Sequence, residues 1–92
     1  MSRMYSQDFA ADGTAEDDVR GKSMIIMVAG TFGSGTLAVR LYSDARSAFR
    51  TVASFTAATA SAQEIYLGAG QSFQFNLSGS TSPSIEIDYW FV

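Results

Sequence analysis

Apolar and polar residues alternate with a period of two along most of the second half of this chain. Near the end of the sequence, Ile85, Ile87 and Tyr89 occupy one phase, while Glu86 and Asp88 occupy the other. Successive side chains of a β-strand point to opposite faces, so this period places one set of residues on a core. The alternation therefore predicts strands over residues 37–42, 49–55, 63–67, 71–77 and 84–91.

The segment over residues 24–28 differs, because both of its phases are apolar. It reads Met-Ile-Ile-Met-Val. A short run of this kind is typical of a strand that is covered on both sides, either inside a sandwich or at a subunit contact. We therefore predict a strand over residues 22–29, followed by a hairpin turn at residues 33–35, which read Gly-Ser-Gly.

Two irregular segments complete the pattern. Val52 is out of phase with Phe49 and Phe55, which predicts a β-bulge in that strand. Residues 56–62 are almost wholly Ala, Thr and Ser, and they predict a loop, with a single helical turn as the alternative. Six to eight short strands without a long amphipathic helix predict an all-β fold, an antiparallel β-sandwich of jelly-roll-like type.

The first eighteen residues lack the alternation. Met4, Tyr5 and Phe9 are apolar anchors in an otherwise polar start, and residues 11–18 are acidic. Acidic groups this close together are costly to bury without counter-charges, so a solvated loop is expected. We therefore predict an N-terminal arm and acidic loop over residues 1–18, and a sandwich domain over residues 19–92.

Composition narrows the classes of function. The 92 residues include no Cys and no His, which removes disulfides, thiol nucleophiles and the commonest general base near neutral pH. The net charge is −3 and the six basic residues are spread along the chain, which argues against binding of nucleic acid. No segment has the pattern of a signal peptide or a membrane span, so we expect no membrane partner and a soluble chain made in the host cytoplasm.

A low proportion of charge points to a protein partner. Charged residues make up 16% of the chain and apolar residues 47%, whereas a typical soluble domain has roughly 25% charged residues. A small body of this composition must turn some apolar surface outward. Such a surface is typical of burial against a partner.

No segment of the sequence fully matches a motif for catalysis or for cofactor binding. Residues 30–36 have the glycine spacing of a phosphate-binding loop, but they lack its Lys and run from strand to strand. Glu86 and Asp88 share a strand face, yet they lie on its polar phase, which favours a solvated or interface role over acid–base catalysis. Residues 12–18 do not match a calcium-binding loop. We therefore expect no catalytic residue, no metal site, no cofactor and no enzymatic activity.

Outward-facing aromatic residues are the strongest candidates for binding. The strand phases place Tyr42, Tyr66 and Trp90 away from the core, each two positions after a charged residue. This combination is typical of protein interfaces and equally fits a surface that stacks sugars, while burial of Trp90 under the N-terminal arm stays open. The interface candidates are Met4, Tyr5 and Phe9 in the arm, Met24, Ile26 and Val28 in the apolar strand, and Tyr42, Tyr66 and Trp90.

Four short segments at strand ends and turns carry a resemblance to a known group of proteins. They are residues 30–33 (Gly-Thr-Phe-Gly), 43–44 (Ser-Asp), 67–70 (Leu-Gly-Ala-Gly) and 77–79 (Leu-Ser-Gly). With these turns, residues 24–92 resemble small β-sandwich structural proteins of tailed bacteriophages. That group includes capsid decoration (cement) proteins, head-fibre parts and tail or baseplate accessories. The resemblance implies an assembly part, and it carries over no catalytic residue.

The resemblance implies a virion structural protein, above all a capsid decoration or cement subunit on the surface of the capsid. Such a subunit binds the assembled shell and stabilises the phage head by mass action. The expected partners are the major capsid protein and like subunits, with a homotrimer favoured because capsid lattices offer three-fold sites. The alternatives are a phage tail or fibre accessory and a glycan-binding β-sandwich module.

Overall fold

The computed structural model describes residues 3–92, which form eight antiparallel β-strands in two sheets. The strands are β1 (Tyr5–Phe9), β2 (Gly13–Asp18), β3 (Ser23–Thr31), β4 (Thr36–Ser43), β5 (Ala48–Phe55), β6 (Gln63–Tyr66), β7 (Ser72–Ser78) and β8 (Ser84–Phe91). Sheet A has the order β1-β8-β3-β6, and sheet B has the order β2-β7-β4-β5. The predicted all-β antiparallel sandwich is confirmed.

The strands pair in a nested pattern. β1 pairs with β8, β2 with β7, β3 with β6 and β4 with β5. The pairs β3·β8 and β4·β7 complete the two sheets. Within residues 3–92, β4 and β5 are the only consecutive strands that share a sheet, so every other connection crosses from one sheet to the other.

The core lies between the sheets and takes one phase of each long strand. Tyr89 of β8 packs against Phe73 and Phe75 of β7, with ring centroids 5.7 and 5.1 Å apart. The buried apolar cluster is Phe9, Met24, Ile26, Val28, Phe32, Leu37, Val39, Ile65, Leu67, Phe73, Phe75, Leu77, Ile85, Ile87, Tyr89 and Phe91. Full burial of each large apolar side chain stabilises the fold by roughly 1.5–3 kcal/mol, so this layer is the main source of stability.

The predicted N-terminal arm is a strand of the sandwich. β1 pairs with β8 from Tyr5↔Tyr89 to Phe9↔Ile85. Phe9 is only 8% exposed and belongs to the core, and Tyr5 stacks on Tyr89 with ring centroids 5.5 Å apart. The expectation that Phe9 inserts into a neighbour is therefore wrong, because its side chain already packs in the core of this chain. Tyr5 is half-buried, so its contact with a neighbour stays a prediction. Met1 and Ser2, the start of the predicted arm, lie outside the described residues.

The predicted acidic loop is also a strand. β2 forms the edge of sheet B and pairs with β7 along its whole length. Glu16 and Asp18 point into water, while Ala15 packs against the core cluster. An edge strand tolerates charges on its solvent face and is protected by them from pairing with other chains, so the acidic residues need no buried counter-charge.

The side chains of β3 that were expected at an interface are buried, and the alternate side chains of this strand face outward. Met24, Ile26 and Val28 are 0, 0 and 2% exposed. Their role as interface candidates is therefore corrected, because they face the other sheet and form part of the core. Ile25 and Met27, between them, are half-buried and point outward.

The turn at residues 33–35 joins the two sheets. The Gly35 N–H donates to the Phe32 carbonyl over 2.9 Å, as the tight turn requires. However, β3 lies in sheet A and β4 in sheet B, so the predicted hairpin is wrong. Gly30 has a φ of 103° and a Cβ there would overlap the Ser84 carbonyl oxygen, which explains the glycine at the end of β3.

The two predicted irregular segments are confirmed. The register of β4 and β5 shifts between Val39↔Ala53 and Arg40↔Thr51, so Val52 is the extra residue of a β-bulge and is 42% exposed. Residues 56–62 form a loop without a helix. That loop continues the edge of sheet A, because Thr59 bonds to both backbone groups of Val28: the Thr59 N–H donates to the Val28 carbonyl over 2.9 Å, and the Val28 N–H donates to Thr59 Oγ1 over 3.0 Å.

Candidate functional site

The outer face of sheet A combines apolar and acidic side chains. Strand alternation turns outward Ser6 and Asp8 of β1, Ser84, Glu86, Asp88 and Trp90 of β8, Ile25, Met27, Ala29 and Thr31 of β3, and Glu64 and Tyr66 of β6. Four of the nine acidic residues of the chain belong to this set, and none of the six basic residues does. We call this set the outer face of sheet A.

The acidic groups of this face repel one another. Asp8 and Glu86 are direct cross-strand partners, and Asp88 is the partner of Ser6, two positions along the same strand. Like charges directly opposite on one face of a sheet destabilise the pair. Within residues 3–92, no ion pair joins Asp8, Glu86, Asp88 or Glu64 to a basic group. The face therefore carries an electrostatic cost that no ion pair within residues 3–92 offsets.

An apolar row, formed by Trp90 of β8 with Ile25 and Met27 of β3, lies on the same face. Trp90 of β8 is the register partner of Ile25 of β3, which in turn is the partner of Glu64 of β6. Tyr66, two positions after Glu64, is 72% exposed. Ile25, Met27 and Trp90 are each half-buried. Partly exposed aliphatic and aromatic side chains beside carboxylates make this face a candidate for binding.

The outer face of sheet B is more polar. Gln74 is 8% exposed and donates from Nε2 to Glu16 Oε1 over 3.2 Å. Arg40 is the register partner of Gln74, and its Nε is buried without a hydrogen-bond partner. Tyr42 and Phe49, partners across β4 and β5, form an edge-to-face pair with ring centroids 5.2 Å apart. This face therefore offers one aromatic pair beside a guanidinium.

Half of the basic residues lie in one hairpin. Arg40 is in β4, Arg46 in the turn and Arg50 in β5, and the last two are exposed. Among the described residues, none of the three forms an ion pair with a carboxylate. We call residues 40–50 the β4–β5 hairpin. Its charge is opposite to that of the outer face of sheet A.

Arg20 and Tyr5 link the ends of the two sheets. The Arg20 guanidinium lies 5.2 Å from the Tyr5 ring centroid, and its Nη1 lies 3.2 Å from Asp17 Oδ1. The hydrogen bond to Asp17 raises the pKa of Arg20. Burial raises the pKa of Tyr89, with the Asp17 charge adding to the rise and the Arg20 charge opposing it. These groups hold β1 and β2 in place, so their role is structural.

Asp12 organises the turn between β7 and β8. Its carboxylate accepts from the Gly79 N–H over 3.1 Å, from the Ser80 N–H over 3.0 Å and from the Ser80 hydroxyl. The Ser80 hydroxyl contributes most to lowering the pKa of Asp12, and the Ser80 N–H contributes next. Asp12 thereby joins the β1–β2 connection to the β7–β8 turn.

The predicted aromatic candidates point outward as expected, but they do not form one platform. Trp90 and Tyr66 share the outer face of sheet A, whereas Tyr42 lies on the outer face of sheet B. Met4, 57% exposed, continues the outward phase of β1. Residues 5–9 do not cover Trp90, because they form β1, which lies beside β8 in the same sheet.

Sequence reasoning missed Ile25 and Met27 as surface residues. Both phases of β3 are apolar, so periodicity alone does not tell which phase faces the core. The acidic members of the face were missed for a different reason. Asp8 and Glu86 are 78 positions apart in the sequence, and only the register of β1 and β8 brings them together.

Groups for catalysis do not converge in the described part of the chain. No group of three or more His, Cys, Asp or Glu residues among residues 3–92 could hold a metal ion. Glu86 and Asp88 share the outer face of sheet A, and neither is enclosed. No helix in residues 3–92 has the length and apolar character to span a membrane.

Comparison with known proteins gives no relative on which to rest a function. No protein-family model matches the chain, no curated protein matches it, and no solved structure matches it. The function is therefore argued from the geometry of the outer faces.

Proposed function

We propose that this chain is a non-enzymatic structural subunit of a virion, of the capsid decoration or cement type, which assembles through the outer face of sheet A. The observation that carries the proposal is the row of Trp90, Ile25 and Met27 on a face whose carboxylates have no counter-charge within residues 3–92. Aromatic and aliphatic groups are enriched where proteins bind each other. A partner that covers this face buries the row and supplies the missing positive charge.

The strand order supports a jelly roll as the scaffold. The pairs β1·β8, β2·β7, β3·β6 and β4·β5 are those of one long antiparallel hairpin. Rolling that hairpin up brings β3 beside β8 and β4 beside β7, which is the pairing in the two sheets. Jelly rolls of eight strands are used by viral capsid and lectin domains. This is a likeness of fold, and the site argument carries the function.

The shape of the molecule also supports an assembly role. The Cα atoms fill a slab of 34 × 33 × 16 Å, two sheets thick. A standard protein interface buries roughly 800 Å² on each partner, and one broad face of this slab offers that area. A thin slab with two broad faces suits a subunit that lies flat against its neighbours.

The test is sedimentation of the purified chain with assembled capsids of the virus that encodes it. The wild-type chain is expected to pellet with the capsids, and the Ile25→Ser/Met27→Ser variant is expected to stay in the supernatant. Val52→Ser, an exposed apolar-to-polar change in the β5 bulge, is the matched control and should pellet normally. A wild-type chain that stays in the supernatant contradicts the proposal.

A glycan-binding module is the second candidate. It is favoured by Tyr66 and Trp90 on one face together with the carboxylates of Glu64 and Asp88, since aromatic rings stack on sugars and carboxylates accept hydrogen bonds from hydroxyl groups. Trp90 is the sole Trp, so its fluorescence reports on this face. A shift of its emission with one sugar of a broad panel supports this candidate, and unchanged emission with every sugar opposes it.

A further inference from the structure

We infer that the occupant of the outer face of sheet A is a second copy of this chain, which docks through its β4–β5 hairpin. Copies then associate head to tail, with face and hairpin both used on each copy. The inference rests on the proposed function, because it names the partner of the same assembly surface.

Charge complementarity is the first argument. The outer face of sheet A carries Asp8, Glu64, Glu86 and Asp88 with no basic residue among its outward strand positions. The β4–β5 hairpin carries Arg40, Arg46 and Arg50, with Asp44 as its single acid. Both sets of charges lack ion-pair partners within residues 3–92. Opposite charges across an interface speed association and fix its register, and here each surface supplies what the other lacks.

Apolar complementarity is the second argument. The edge-to-face pair of Tyr42 and Phe49 lies at the base of the hairpin, beside the turn that holds Arg46. On the other surface, Trp90 and Ile25 are register partners. An interface of this kind places aromatic groups at its centre and charges at its rim. Arg40, two positions before Tyr42 on the same face of β4, and Arg46, in the turn, are the basic residues beside this aromatic pair. Arg50, the register partner of Leu41, is exposed on the opposite phase of the hairpin and adds to its positive charge.

The same charges argue against two identical faces meeting. A symmetric dimer through the outer face of sheet A would bring two copies of Asp8, Glu86 and Asp88 against each other. Like charges that meet across an interface oppose association. A contact between two different surfaces avoids this repulsion, and it produces a ring when the rotation between copies closes. Head-to-tail contact is thus the mode of self-association that the charge distribution favours.

The first measurement is the mass of the wild-type chain by light scattering at micromolar concentration. In low salt, the chain is expected to be an oligomer. Raising the salt concentration should weaken association about tenfold or more, because screening acts on exposed charge pairs. This measurement needs no substitution, so it tests the inference even where a variant fails to fold. A monomer in low salt overturns the inference.

Charge reversal then identifies the surfaces. Arg46→Glu/Arg50→Glu changes the hairpin at two exposed positions. Asp8→Lys/Glu86→Lys changes the face, and it leaves a like-charge pair across β1 and β8 as in the wild type. Each double variant is expected to be a monomer with an unchanged circular dichroism spectrum. The four changes combined exchange the signs at these positions while Glu64 and Asp88 keep their charge, so they should restore the oligomer in part. Lys22→Glu, outside both surfaces, should leave the wild-type oligomer unchanged.

The outcomes separate this inference from the proposed function. An oligomer that survives Arg46→Glu/Arg50→Glu uses another surface, and that result overturns the inference. Failure of the four combined changes to restore the oligomer, with the fold intact, also overturns it. If the wild-type chain is a monomer that still pellets with capsids, and Asp8→Lys/Glu86→Lys abolishes pelleting, the occupant is a basic surface of the capsid. The proposed function then stands without the head-to-tail contact.

Discussion

At the scale of single residues, two apolar side chains near the N-terminus, Met4 and Phe9, differ in how much of their surface is exposed. Phe9 is buried in the core, whereas Met4 is 57% exposed. They are five positions apart, and β1 orients one toward sheet B and leaves the other in the outward phase. Phe9 is therefore a residue of the fold, and Met4 is free to contact a partner.

Truncating Phe9 tests whether β1 is integral to the sandwich. Phe9→Ala should lower the free energy of unfolding by about 3 kcal/mol, because it removes a buried ring from the core. Met4→Ala, at an exposed position, should change it by less than about 0.5 kcal/mol. Chemical denaturation measures both. If Phe9→Ala has as small an effect as Met4→Ala, β1 is a detachable arm after all.

The hydrogen bonds of the Asp12 carboxylate should make the stability of the fold depend on pH. The pKa of Asp12 is lower in the folded chain because the Ser80 hydroxyl and the backbone N–H groups of Ser80 and Gly79 donate to the carboxylate. A lowered folded pKa stabilises the fold above the unfolded value of about 3.9, and that contribution is lost as the pH falls through the folded pKa. Asp12→Asn should therefore be less stable than the wild type at neutral pH, with the difference shrinking in acid.

Thermal unfolding at a series of pH values measures this difference. Asp44→Asn is the matched control, since within residues 3–92 the Asp44 carboxylate accepts no hydrogen bond. It should not reproduce the pH-dependent loss. A constant difference between wild type and Asp12→Asn at every pH would show that the lost contact is independent of ionisation.

At the scale of secondary structure, strands with strong alternation were predictable and polar edge strands were not. β8 was predicted over its observed bounds, and the bulge at Val52 followed from a break in phase. β2 was missed because Ala15 is its only apolar residue, so it has no hydrophobic period to detect. Periodicity also does not reveal which strands pair. The turn at residues 33–35 therefore predicts a hairpin from sequence, although it joins strands of different sheets.

The residues of the candidate site were also only partly predictable, because periodicity gives neither the phase of a wholly apolar strand nor the order of strands in a sheet. The outward phase of Trp90 and Tyr66 could be deduced from the alternation of β8 and β6. The phase of β3 could not, because Ile25 and Met27 are as apolar as their buried neighbours. The clustering of Asp8 with Glu86 depends on long-range strand order, which no local pattern encodes.

The loop at residues 56–62 should contribute to the stability of sheet A through Thr59. Thr59 bonds to both backbone groups of Val28, which lies beyond the end of the β3·β6 pairing. Thr59→Val keeps the side-chain shape but leaves the Val28 N–H without an acceptor, so the free energy of unfolding should fall by about 1–2 kcal/mol. Chemical denaturation measures the change.

The matched control for that substitution is Thr56→Val. Thr56 is exposed and its side chain makes no hydrogen bond within the described residues, so a change below about 0.5 kcal/mol is expected. Equal effects of the two substitutions would mean that the loop does not support the edge of β3.

At the scale of the whole molecule, charge is distributed unevenly over the slab. The outer face of sheet A holds four carboxylates, while the β4–β5 hairpin holds three of the six basic residues. Local repulsion between Asp8 and Glu86 works against the fold. A sequence that breaks a local rule in this way, without an ion pair to compensate for it within residues 3–92, points to a functional surface. We therefore expect the outer face of sheet A to be covered by a partner.

The most direct test of that claim is hydroxyl-radical footprinting of the chain bound to the virus particle to which the proposed function assigns it, compared with the chain diluted to a monomer. Met27, Tyr66 and Trp90 all carry oxidisable side chains on the outer face of sheet A. We expect all three to be labelled several-fold less on the particle, whether a capsid subunit or a second copy covers them. Equal labelling of these residues in the two states would contradict this expectation.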